Sequence, residues 1–384
     1  MFFVLALLAF FAIALPDAML GVAWPFMRVS FNQPLAAMTL VLPFGVAATV
    51  ISTSCWTWAA ARIGFGRLLA GSVAISATAL LCCAFAPAYW VIVACAVLFG
   101  LSAGAVDAAL NAYAARHFGA RQVNLMHAAY GIGAATSPLI VTAVIGMGRS
   151  WRWAYITVMA IQALLAALFA GTSRRWSDAS AEPAALATAS TEDQSPGRPR
   201  WWRRAPAVGG LLVIAVQTGL ESVIGLWAFV YLLSAVALPA ATAGVIVSSY
   251  WAAIVLGRIL LGMLAQRIGI WPVLGTLTTV AVTASALLLT RQPVPAAGGI
   301  ILLGLALAPV YPLLVLTTAE RTTADATDRL VGLQAAVSTI GAVVFPTAVG
   351  LIMGVNPMAF ASCVVVLALI DSGGLWTLRP GRRQ

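Results

Sequence analysis

Long apolar runs, separated by short polar segments, recur along the chain. Twelve of them approach or exceed the ~20 mostly apolar residues that a helix needs to span a bilayer: 3–28, 35–60, 68–87, 89–117, 123–147, 151–171, 207–235, 241–265, 272–290, 296–318, 328–353 and 356–377. The pattern predicts an all-α membrane protein of about twelve transmembrane helices. Residues 172–205 break it with a stretch rich in Ser, Ala, Pro and charge, the composition of a flexible linker. Six spans precede this segment and six follow. The expected organisation is a bundle over 1–171, a linker over 172–205 and a second bundle over 206–384. The first run has no charged leader and no small-residue cleavage site, so it reads as the first span and not as a removable signal.

Composition supports this picture. The chain is 62% hydrophobic and 8% charged, against the roughly 25% charged residues of soluble domains. Its 21 basic residues are all Arg, and the net charge is +10. Sixteen of them fall in loops or ends on one side of the predicted spans, and four (Arg28, Arg149, Arg152 and Arg291) on the other. That asymmetry is a positive-inside signal, not a nucleic-acid footprint. It places both termini and the linker in the cytoplasm, as expected of an inner-membrane protein. The partners expected are the lipid bilayer, a small-molecule substrate and protons, with no nucleic acid, and the protein is expected to be a monomer. The five Cys lie in apolar spans and read as packing residues. No spacing suggests a metal site, and no cofactor is expected.

The two halves resemble each other. "ARIG" at 61–64 pairs with "QRIG" at 266–269, and "LFGLSAGAVD" at 98–107 with "LLGLALAPVY" at 302–311. Gly133, Ala134 and Pro138 are echoed by Gly341, Ala342 and Pro346, and Asp17 with Gly21 by Glu221 with Gly225. The offsets are nearly constant, which points to a duplicated six-helix unit. "GAVDAALNAYAA" and "NLMHAAYGIGAATSPLI" (124–140) then resemble spans four and five of the fucose-permease-like branch of the major facilitator transporters. "WRWAY" (151–155), "GLESVIGLWAFVYLL" (219–233) and "SSYWAAIVLGRILLG" (248–262) resemble its later segments. The resemblance implies two pseudo-symmetric bundles, a mid-membrane substrate site at their interface, and a cavity lined by spans one, four, seven and ten. One departure stands out. The loop after span two reads "WAAARIGFGR" (58–67), with Ala61 where the superfamily carries an Asp; Gln266 occupies the equivalent place in the second half.

An ionisable group inside a membrane span is expensive and is read as functional by default. Asp17 follows Pro16 in span one, where proline predicts a kink or local opening; Asp107 lies mid-span in span four. The resemblance implies roles for both, since fucose:proton symporters carry carboxylates at these positions for proton coupling and sugar binding. The alternative is a protonated acid kept for packing. Asn111 lies one turn from Asp107 on the same face. His127 either binds substrate or relays a proton, or ties span five to span four through Asn111. Glu221 is the third candidate acid for proton coupling. With Gln217, Trp227 and Tyr231 it forms a stripe expected to face the cavity. Tyr250, Trp251, Tyr311 and Gln334 are expected to complete the substrate wall, since aromatic faces with amide and carboxylate partners suit a hydroxyl-rich ligand. Arg258 either pairs with an acid during gating or caps the loop at 266–269. Arg62, Arg67 and Arg267 are the further gating candidates. Asp371 is expected to snorkel from span twelve.

These features predict a secondary active transporter, with proton-coupled symport of a sugar or similar small polar solute as the leading expectation. Proton-driven efflux of a drug or metabolite is the alternative. A membrane-embedded enzyme needs a nucleophile with a base or a metal constellation, and one mid-membrane His among scattered acids makes a poor case for that.

Overall fold

The computed structural model describes residues 2–180, 205–321 and 324–379. Its regular elements are helices: α1 (Phe2–Ser30), α2 (Val41–Ile63), α3 (Phe65–Ala84), α4 (Tyr89–His117), α5 (Ala120–Gly146), α6 (Arg152–Thr172), α7 (Ala205–Ser234), α8 (Ala240–Ile268), α9 (Ile270–Leu288), α10 (Pro293–Leu307), α11 (Val310–Leu316), α12 (Thr318–Arg321), α13 (Ala324–Val355) and α14 (Ala359–Leu378). Short 3₁₀ segments cover Leu35–Leu40 and Ser173–Ser180. Twelve spans among the described residues are long and apolar enough to cross a bilayer, the tenth combining α10 and α11. Large apolar side chains such as Val50, Ile51, Leu256, Ile259, Leu260 and Met263 stay exposed on the helices. Lipid is the solvent that such apolar faces suit.

The chain forms two compact units, Met1–Met19 with Leu40–Pro199, and Leu20–Thr39 with Arg200–Gln384. The second half of α1 is therefore grouped with the second unit, whereas the sequence boundaries put it in the first bundle. Within unit 1, α2 packs on α4, and α3 packs on α4 and α6. Within unit 2 the corresponding pairs recur: α8 on α10, and α9 on α10 and α14. The duplication reaches individual atoms. A Cβ added at Gly133 of α5 would collide with the Phe11 carbonyl of α1, and one added at Gly341 of α13 would collide with the Ala215 carbonyl of α7. Glycine at these positions lets two backbones touch. The ARIG and QRIG turns match as well. Gly64 at φ 88° ends α2 and Gly269 at φ 95° ends α8, left-handed conformations that glycine adopts without penalty.

Two expectations change. Of the kink or local opening expected at Pro16, the opening does not occur: the helix of α1 runs unbroken through that residue. Proline removes the donor for the carbonyl four residues earlier, and that carbonyl, Ala12 O, accepts instead from Gln162 Nε2 of α6 at 2.7 Å. A buried glutamine replaces the missing amide, so the helix has no need to open. The start of the segment read as linker is also ordered. Trp176 is 1% exposed, and its ring lies 4.7 Å from Phe2, 5.0 Å from Tyr113, 5.7 Å from Phe65 and 5.9 Å from Phe169. The indole docks this turn onto α1, α3, α4 and α6. Residues 181–204, which carry the rest of the linker, lie outside the described residues.

Candidate functional site

Unit 1 gathers its polar side chains on α1, α4 and α5. Asp17 lies near the middle of α1 and stays exposed, and its Oδ2 accepts a hydrogen bond from the Tyr130 hydroxyl of α5 at 2.9 Å. Asp107, also exposed, accepts at Oδ1 from Asn111 Nδ2, one turn along α4, at 3.0 Å. The two carboxyl groups lie within Coulombic reach of each other, and His127 lies within such reach of Asp107. The His127 ring is also edge-on to Phe10 at 5.3 Å. Asn111 thus turns to the acid on its own helix, and His127 sits where it can meet the same acid. Among the described residues neither Asp17 nor Asp107 is paired with an Arg.

Unit 2 treats its acid differently. Glu221 of α7 is ion-paired with Arg258 of α8, Nη2 to Oε1, at 3.2 Å; the Glu221 side chain is 15% exposed and that of Arg258 46%. Of the two readings of Arg258, the pairing with an acid is the one its contacts match. Its Nε also donates to Ala308 O at 3.4 Å, a carbonyl that Pro312 leaves without a helical donor. Gln217, fully buried, donates from Nε2 to Leu307 O at 3.0 Å. These two side chains from α7 and α8 therefore satisfy the carbonyls at the break between α10 and α11.

The remaining wall candidates divide. Trp227 and Tyr231 are fully buried, and their polar atoms donate to Pro346 O and Leu288 O. Tyr250 is fully buried and donates to the main-chain carbonyl of Glu221 at 2.9 Å. Gln334 is 2% exposed and donates to Thr318 Oγ1 at 2.9 Å. All four are engaged in helix packing. Trp251 and Tyr311 are half-buried; the Trp251 ring lies over Gly225, and its buried Nε1 has no hydrogen-bond partner among the described residues. Arg62, Arg67 and Arg267 are exposed, and the Arg62 guanidinium lies over Trp58 at 5.1 Å. Asp371 does not snorkel. It is 3% exposed, with Oδ1 unpartnered among the described residues.

Sequence reasoning missed Tyr130 and Gln162. Tyr130 lies three residues after His127, a spacing that puts both on one face of α5, and that signal was there to use. The run Gly100–Gly104 spells G-x-S-x-G. It lies inside the uninterrupted helix α4, not on a strand-to-helix elbow, and Ser102 Oγ has no hydrogen-bond partner among the described residues.

The Major Facilitator Superfamily profile matches residues 6–346. No curated relative matches the sequence. Among solved structures, a mutant form of the nucleoside transporter NupG is similar at TM-score 0.77 and 15% identity, covering 97% of this chain and 98% of that one. A second NupG structure gives 0.75 and 14%, covering 97% of each chain. A bacterial homologue of the human lysosomal transporter Spinster, inward-facing and occupied, gives 0.69 and 13%, covering 97% of this chain and 93% of that one. At these identities the likeness is one of fold. With twelve apolar spans, two internally matched units and a family profile over nearly its whole length, the chain belongs to the Major Facilitator Superfamily and is a multi-pass membrane transporter.

Proposed function

We propose that this transporter is a proton-coupled symporter of a sugar or similar small polar solute, working by alternating access in the inner membrane with both termini in the cytoplasm. The observation that carries the reading is the difference between the two units' acids. Glu221 has a fixed cationic partner in Arg258, whereas Asp17 and Asp107 have the neutral donors Tyr130 and Asn111. A carboxylate held by arginine keeps its charge. One held by neutral donors, in a setting that is hydrated in one state and enclosed in another, suits a group that loads and releases a proton. Asp17 is the carrier in this reading. Asp107, with Asn111 and His127 at hand, handles both proton and solute. Trp251 and Tyr311 supply stacking surface for a ring bearing hydroxyl groups. The fucose-permease-like motifs of spans four and five favour a sugar. NupG, of similar fold, is a nucleoside transporter, and a nucleoside carries a sugar ring.

A thermal-shift screen of the purified protein across sugars and nucleosides, followed by proteoliposome uptake, tests the proposal. Accumulation of the stabilising solute down an imposed inward proton gradient is expected. Solute movement only against that gradient, as in efflux, contradicts it.

A further inference from the structure

A small crevice opens beside Asp17. Its cavity volume is about 10 Å³, the room of about one water, and its lining includes Asp17, Ile13 and Pro16 of α1, Ser76 of α3, and Phe99 and Ser102 of α4. Asp17, Ser76 and Ser102 provide its polar side chains. Ser102 is 2% exposed, and its hydroxyl has no hydrogen-bond partner among the described residues. The contrast with its neighbours is informative. Thr49, Ser54 and Thr78 each donate to the carbonyl four residues earlier, the usual resort of a hydroxyl in a helix. Ser102 makes no such bond. A buried hydroxyl without a partner is costly unless a water completes it.

We propose that the crevice is a water site, in which Ser102 holds one ordered water against the Asp17 carboxyl oxygen that Tyr130 does not take. Tyr130 occupies Oδ2, and a carboxylate accepts at both oxygens. A buried water needs two to four polar partners; Asp17 and Ser102 provide two, and Ser76 lines the same space. The apolar remainder of the lining leaves nothing to orient a sugar. The inference rests on the reading of Asp17 as proton carrier and adds a positioning residue to it. The water donates one hydrogen bond to the carboxylate and keeps it solvated when the surroundings are enclosed. When Asp17 is protonated, a water O–H bond breaks as the carboxyl O–H forms, and the water regains a proton from its hydrated side, so one proton moves and the water is unchanged. The other groups facing Asp17 are the Tyr130 hydroxyl and the Asp107 carboxyl, the latter in reach of His127.

Infrared titration of the purified full-length protein tests this without knowledge of the solute. The carboxyl band that vanishes in Asp17→Asn identifies the group. In Ser102→Ala that band is expected to change frequency, and its titration midpoint to rise by roughly one pH unit, the size of one lost hydrogen bond to a charged group. The melting temperature reports separately. In a dry crevice, Ser102→Ala removes an orphan donor and raises it; with a bound water it falls. An Asp17 band that titrates identically in both proteins, or a raised melting temperature, overturns the water site and leaves the carrier reading standing. Absence of a titrating Asp17 band overturns both. A midpoint that falls when sodium replaces choline shows a cation in the crevice and overturns the water assignment.

Discussion

At the scale of single residues, the polar groups in the spans fall into two kinds. Some serve the helices, as Gln217 and Tyr250 do by satisfying main-chain carbonyls. Others hold a carboxyl group, as Tyr130 and Arg258 do. The Glu221–Arg258 pair makes a testable case. Removing Arg258 alone leaves a mostly buried carboxylate without its cation. Arg258→Gln is expected to destabilise by roughly 1–2 kcal/mol, less than the figure for fully buried pairs because Arg258 is half-exposed. The Glu221→Gln/Arg258→Gln double variant should recover part of that loss. Thermal unfolding in detergent checks both, and a double variant no better than the single one contradicts the pairing. What was legible at this scale is uneven. Asp17, Asp107 and Glu221 stand out because a charge inside an apolar run has few bland explanations. Trp227 and Tyr231 do not reveal their role, because an aromatic residue at helical spacing looks the same whether its face meets a solute or another helix. Ser102 was obscured because serine is unremarkable in membrane spans, and Tyr130 was legible only through its spacing from His127.

At the scale of elements, the helices are set by where backbone groups find partners. Pro16 deprives Ala12 of its donor and Gln162 supplies one from α6. Gln162→Leu is therefore expected to cost about 1–3 kcal/mol, the penalty of an orphaned buried carbonyl. Adding Pro16→Ala restores a main-chain amide at that position, so the same glutamine substitution should then cost distinctly less. Equal costs in the two backgrounds, measured by thermal unfolding, would show that the glutamine acts through something else. Close helix contact gives a second expectation. Gly133→Val and Gly341→Val drive a branched side chain into the Phe11 and Ala215 carbonyls, and each should destabilise by at least the roughly 1–3 kcal/mol of core overpacking. Destabilisation by only one of the two contradicts their equivalence. Hydropathy was enough to find every span to within a few residues. It was blind to the break between α10 and α11, because Ala308 and Pro309 continue the apolar run without a change in polarity.

At the scale of the whole molecule, duplication is readable in the sequence, in four motif pairs at nearly one offset. It is repeated in the helix pairings of each unit and in the matching Gly64 and Gly269 turns. The orientation proposed from the Arg asymmetry predicts that a single Cys introduced at position 190, in a background without native cysteines, reacts with a membrane-impermeant reagent only when the cytoplasmic face is accessible. Labelling from outside intact cells contradicts it. The central claim is that the two aspartates of unit 1 drive transport and that Asp17 carries the proton. It is tested most directly by reconstituting Asp17→Asn in proteoliposomes with the solute that stabilises the protein. Uphill uptake under a pH gradient is then compared with counterflow at uniform pH. The account predicts that Asp17→Asn loses uphill accumulation and keeps counterflow, while Asp107→Asn loses both. Uphill accumulation by Asp17→Asn with the pH dependence of the unmodified protein would contradict it and move the carrier role to Glu221 or His127.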